Sequence, residues 1–226
     1  DYYQGAYTGT MSSVDAASYG TFNSASWDNP TGNATYALLC SGNCTFRSPV
    51  LNGVYTYGIR CVGTGCAVYD PFAVVTASTA AISFHQSGTG VLVGGTVTNN
   101  HATGLGVGAD AASLNAMGTS STVVGGNAWV ADSTMNFFGI SGTSSTGYVF
   151  QCGNNAAKQA INGMGLDGPS SDRAHLLTGC DTTGLGVRMQ SLTYSGNNFV
   201  PDGENVTAIA ASGSNQSITL NGVGLF

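Results

Sequence analysis

The sequence predicts an all-β fold: a disulfide-stapled β-sandwich or jelly-roll-like body with one or two short helices, with a parallel β-helix as the alternative. Three observations lead there. Short runs rich in β-branched and aromatic residues alternate with glycine-containing breaks, the pattern of many short strands. Glycine makes up 34 of the 226 residues, against an ordinary share of about 7%. Six cysteines, an even number, suit a disulfide framework.

The elements follow in chain order. Residues 1–35 are polar, with Tyr2, Tyr3, Tyr7, Tyr19, Phe22 and Trp27 spaced irregularly, and read as an extended N-terminal arm or edge strand. Asn29-Pro30-Thr31-Gly32 is a turn signal. Residues 36–226 read as a single β-rich domain. Its strand candidates are Val54–Val62, Val74–Phe84, Val91–Thr98, Val123–Val130, Met135–Ile140, Tyr148–Gln151, Gly186–Tyr194 and Ser217–Phe226. Helix is scarce. Asp110–Met117, with Asp110 as N-cap and Gly118 beyond its end, predicts a short helix, and so does Ala156–Met164 before Gly165. Asp172–Leu177 adds at most a turn. Val-Gly recurs at Val62-Gly63, Val93-Gly94 and Val124-Gly125, an even spacing that a β-helix would produce by stacking equivalent turns. Disulfides and helical insertions fit poorly between uniform rungs, which favours the sandwich. The last segment alternates through Ile218, Leu220, Val223 and Leu225, so it closes its own sheet or is donated to a neighbouring copy.

Charge places the chain outside the cell. Only 7% of residues are charged, where a typical domain carries about 25%. Lys158 is the only lysine and Glu204 the only glutamate, so Ser, Thr, Asn and Gly supply the polar surface. Five basic residues against 11 acidic ones leave no patch able to neutralise a run of phosphates, which excludes nucleic acid as partner. A hydrophobic share of 42% argues against disorder. The richest apolar run, Cys66–Ala81, is broken by Asp70 and Pro71, so no membrane span is expected in this chain. The first ten residues lack the basic start and apolar centre of a signal peptide. The expected location is extracellular, on a cell or virion surface.

Cys40, Cys44, Cys61, Cys66, Cys152 and Cys180 predict three bridges. Four cluster within residues 40–66 and close either as 40–44 with 61–66 or nested as 40–66 with 44–61, while Cys152 pairs with Cys180. Their spacing does not suit a structural zinc site. Sequons stand at Asn33, Asn43, Asn205 and Asn215, candidates for N-glycosylation, although a chain so rich in Asn, Ser and Thr reaches that number by composition alone. Trp27, among polar neighbours, is the candidate surface ring for stacking on a glycan; Trp129, in an apolar run, reads as core. Asp202, Glu204 and Asp181 offer loop oxygens to calcium, the one cofactor with any candidate ligands.

Catalytic signals are absent. There are three histidines, no Gly-x-Ser-x-Gly elbow and no phosphate loop. Asp167, Asp172, Arg173 and His175 form the densest polar cluster, and turn and helix-cap chemistry accounts for it. The expected function is therefore that of a non-enzymatic extracellular structural protein, a self-assembling subunit of a surface filament, pilus-like fibre or coat. Copies of itself, joined through terminal strands, would be its partners. Alternatives are a secreted glycan-binding adhesin module and a small secreted glycan-active hydrolase.

Overall fold

A computed structural model shows a parallel β-solenoid, the alternative architecture; neither a sandwich nor a jelly roll is present. It describes residues 2–14, 19–111, 113–131, 134–138, 140–144 and 147, and the strands at 150–152, 159–162, 165–167, 177–178, 186–190, 193–195, 217–221 and 224–225. No helix occurs among the described residues. The chain winds through three faces. The first and second faces belong to one 15-stranded sheet and the third is a 9-stranded sheet.

The end rung consists of β1 (Tyr2–Gln4), β2 (Thr10–Val14) and β3 (Tyr19–Asn23). Two-face strands then alternate with third-face strands: β4 (Ser26–Cys40), β5 (Asn43–Arg47), β6 (Val50–Cys61), β7 (Gly65–Tyr69), β8 (Phe72–Phe84) and β9 (Thr89–Val93). From there each face has its own strand. One turn is β10 (Thr96–Asn99), β11 (Leu105–Ala109) and β12 (Ser113–Met117), and the next is β13 (Ser120–Val123), β14 (Trp129–Ala131) and β15 (Thr134–Phe138). The later turns are β16 (Ser141–Ser144), β17 (Phe150–Cys152) and β18 (Gln159–Asn162), then β19 (Gly165–Asp167), β20 (Leu177–Thr178) and β21 (Gly186–Gln190). β22 (Thr193–Ser195), β23 (Ser217–Asn221) and β24 (Gly224–Leu225) follow.

Neighbouring rungs pair in parallel, with Val50 beside Phe72, Phe72 beside Thr96, Thr96 beside Ser120 and Ser120 beside Ser141. The repeat is thus about 21–24 residues, in the range of solenoids. The Val-Gly spacing is not this repeat, since Val93 ends β9 while Val62 and Val124 follow β6 and β13.

Alternation along each strand sends every second side chain inward, and the inward residues stack from rung to rung. Leu38, Ile59, Ile82, Val107 and Trp129 form one such column and Phe46, Val68, Leu92 and Ala116 another, all buried. Fully burying a Leu, Ile or Val contributes roughly 1.5–3 kcal/mol, so these columns hold the rungs together. Trp129 is core, as read from its apolar run.

Three sequence expectations fail once the strands are stacked into rungs. Trp27 is fully buried rather than a surface ring. Its polar neighbours Ser26 and Asp28 point outward from β4 while its indole points in, stacked at 5.6 Å on Tyr3, with Nε1 donating to Ser12 Oγ at 2.9 Å. The polar stretch 1–35 therefore supplies the end rung and the first inner strand; β1 and β2 are edge strands. Within Asp110–Met117, Ser113–Met117 is the strand β12, not a helix. Leu114 and Ala116 point inward between β9 and β15, so rung pairing overrides helix propensity. Within Ala156–Met164, residues 159–162 are β18, paired with β15 and β21.

Corners are built by three devices. From third to first face, Ser24, Ser48, Asp70, Gly94 and Gly118 each take positive φ, between 48° and 69°. The first four each donate their backbone N–H to the next rung. From first to second face, buried Asn29 and Asn99 clip the backbone. From second to third face stand the disulfides Cys40–Cys44 and Cys61–Cys66, the un-nested arrangement of the two foreseen. They lie in successive rungs, with Cys40 beside Cys61 and Cys44 beside Cys66. In the following rung the corresponding pair is Phe84 and Gly90, whose missing side chain leaves room for the ring. The two bridges are consistent with an oxidising environment. The Cys152–Cys180 pairing lies outside the described residues. No helix among the described residues is long and apolar enough to cross a membrane.

Candidate functional site

The site stands on the outer side of the second face, where β6, β8 and β11 run side by side. Outward positions here bring Arg60 beside Ser83, and Ser83 beside Gly108. Small residues leave a hollow: Ala80 and Ser83 are almost fully buried and Gly108 carries no side chain. The result is an open depression of about 150 Å³ lined by Tyr57, Arg60, Ala80, Ser83, Gly108 and Asp110, with Thr79, Leu105, Ala109 and Val130 completing it.

Its two rims carry opposite charge. On one side the Arg60 guanidinium lies 4.7 Å from the Tyr57 ring centroid, and Nη1 donates to Ser83 Oγ at 2.5 Å. Tyr57 in turn stacks on Tyr36 of the preceding rung, with centroids 5.7 Å apart and planes 19° from parallel. Tyr36, Tyr57 and Arg60 therefore form a braced row, which fixes a side chain that would otherwise lose considerable rotamer freedom on binding. Arginine has five N–H donors in a rigid fork, and among the described residues Ser83 alone takes a hydrogen bond from it.

On the other side, Asp110 Oδ2 is paired with His85 Nδ1, both exposed. Such a surface pair contributes little stability. Its effect here is positional, because it anchors one oxygen of a carboxylate that lines the hollow. The arrangement is a planar cation and a carboxylate facing each other across a floor of small side chains. Asp110 is the one carboxylate among the lining residues. No group of three His, Cys, Asp or Glu able to hold a metal gathers among the described residues.

The sequence candidates fall elsewhere. Trp27 is inside the core. Asn33 is exposed on β4, near the register shift between Asn29 and Ala34. Asn43 begins β5 on the third face, where its Oδ1 accepts a hydrogen bond from Thr64 Oγ1 at 3.0 Å. A second, wider depression of about 280 Å³ surrounds it, lined by Tyr19, Thr21, Thr45 and Thr89 among others and free of charged side chains. Asp181, Asp202, Glu204, Asn205 and Asn215 lie outside the described residues, as do Asp172, Arg173 and His175. Sequence reading missed Tyr57, Arg60, Ser83 and Asp110, because they come from three different rungs. The repeat register alone would have gathered them.

Comparison of the chain with family models, with curated proteins and with solved structures finds no match.

Proposed function

We propose that the chain is a non-enzymatic extracellular solenoid module that binds glycans through the second-face depression. The observation that carries this reading is the Arg60–Asp110 pair of rims across the Ala80, Ser83 and Gly108 floor. Sugars offer alternating donors and acceptors on a small ring. A guanidinium fork and a carboxylate oxygen, spaced by a shallow neutral floor, complement that pattern, and the Tyr57 edge adds apolar contact. Glycosidic cleavage by the usual route requires two carboxyl groups about 5–9.5 Å apart, and the single carboxylate in the lining favours binding over hydrolysis. Low overall charge and two disulfides support the extracellular setting.

A glycan array followed by titration calorimetry tests the proposal. A hydrogen bond to a charged group contributes about 1.5–3 kcal/mol, so Arg60→Ala should weaken binding of any array hit by roughly ten- to a hundredfold. An array without hits, or equal affinity for the variant, would reject it. A second reading, the self-assembling filament subunit, has one supporting observation: Val50, Phe72 and Val74 form an exposed apolar cluster on the first face. Analytical ultracentrifugation separates the two, since regular polymers favour the subunit and a monomer excludes it.

A further inference from the structure

We propose that the first face of the solenoid, where β10, β13 and β16 stack, is an ice-binding surface. Two outward columns of hydroxyl residues run there. One is Thr96 with Ser120, and the other is Thr98, Thr122 and Thr143, paired rung to rung without a register shift. The intervening Val97 and Ser121 are buried, so Thr96, Thr98, Ser120 and Thr122 face solvent.

Strand geometry turns these columns into a grid. Adjacent strands lie about 4.7–4.9 Å apart and alternate residues about 6.6 Å apart, repeats of the same order as the oxygen spacings on faces of crystalline water. None of the hydroxyls of Thr96, Thr98, Ser120 and Thr122 bonds to a protein group among the described residues. On the third face, by contrast, Thr89 and Ser113 satisfy each other at 2.6 Å. Free hydroxyls on a rigid sheet hold water in fixed positions, and threonine adds a methyl beside each hydroxyl on a side chain that is stiff at χ1. Ordering the surface against ice therefore costs little side-chain entropy. Both columns are uncharged, so no ion draws the water into a radial shell. No aromatic ring stands among these five residues, which separates this grid from the sugar-type site on the second face; exposed Phe72 adjoins Thr96 at the edge of the grid. The inference is independent of the glycan reading.

The test uses ice itself. Freezing hysteresis and crystal shape are recorded in a nanolitre osmometer for the full chain, for Thr98→Lys and Thr122→Lys, and for Thr45→Lys on the third face as control. Thr122→Val serves as a second variant that keeps a strand-forming side chain, and circular dichroism melts confirm that each folds. The expected result is faceted crystals and a freezing–melting gap for the wild type and Thr45→Lys, both lost in the two first-face lysine variants and reduced in Thr122→Val. A wild type that neither shapes ice nor opens a gap at its solubility limit overturns the proposal. Full activity in Thr122→Lys does the same.

Discussion

Replacing Asn99 by valine removes the clip that turns the chain from the first face to the second. Asn99 is fully buried. Its Oδ1 accepts from the backbone N–H of Ala77 at 2.9 Å and of His101 at 3.1 Å, and its Nδ2 donates to the carbonyls of Ala77 at 2.9 Å and Leu105 at 2.8 Å. Valine already stands at the register partners Val75 and Val123, so the side chain itself fits the column. What is lost is polar satisfaction. Ala77 is fully buried, and its N–H and C=O would each be stranded at about 1–3 kcal/mol. The groups of His101 and Leu105 are nearer solvent and recover water. The added apolar surface of valine returns on the order of 1 kcal/mol, which leaves a net loss of about 1–5 kcal/mol. For a chain of this size each kcal/mol lowers Tm by about 2–4 °C, so a fall of roughly 2–20 °C is expected in a circular dichroism melt. Urea titration of the same variant reads the free energy directly. Asn52→Val, at an exposed position of the preceding turns, is the control and should stay within about 0.5 kcal/mol. A loss below about 1 kcal/mol for Asn99→Val would refute the claim that interior backbone groups depend on this amide.

Further outcomes follow from the other corners and from one buried phenol. Opening Cys40–Cys44 and Cys61–Cys66 with a reductant releases only short loops, so each bridge should account for about 2 kcal/mol, measurable as a lower urea midpoint. Gly118→Ala places a side chain at φ 65° with no neighbour within 4 Å, and the left-handed conformation alone should cost about 1–2 kcal/mol. Gly94→Ala should cost more, because its new methyl would meet the Asp70 carboxylate as well. Burial, and after it the charge of Asp28, pushes the Tyr55 phenol above its ordinary value. In the unfolded chain that phenol ionises near pH 10 while in the folded chain it stays neutral. The stability it contributes is therefore complete below about pH 10 and is lost as pH rises through the folded value. Tyr55 also donates to the Asn52 carbonyl at 2.7 Å. Tyr55→Phe should thus cost about 1 kcal/mol at neutral pH and flatten the alkaline fall, read from urea midpoints across the pH range.

The disulfide corner was the most legible part of the chain. Cys40–Cys44 and Cys61–Cys66 join residues a few positions apart, one of the two arrangements the spacing of the four clustered cysteines leaves open. The other corners were hidden. Ser24, Ser48, Asp70, Gly94 and Gly118 share a backbone conformation, not a residue type, and no motif search aligns a serine with an aspartate and a glycine. The Val-Gly spacing offered a repeat that compositional chance supplied. β12 read as a helix because Ala, Leu and Met favour one locally, while Leu114 and Ala116 answer to the β9 and β15 rungs on either side. The candidate site was illegible for the same reason, since Arg60, Ser83 and Asp110 meet only once three rungs are stacked.

Composition and local alternation were enough to establish a β protein of low charge with oxidised cysteines, because strand propensity, turn residues and short disulfide loops act over a few neighbouring positions. The choice between sandwich and solenoid belongs to the tertiary structure. It depends on which residues, some twenty positions apart, share a register, and each strand's apolar side satisfies either architecture equally until a neighbouring rung covers it. That same stacking decided that Trp27 is core, and that a guanidinium and a carboxylate from separate turns face one another over a common floor.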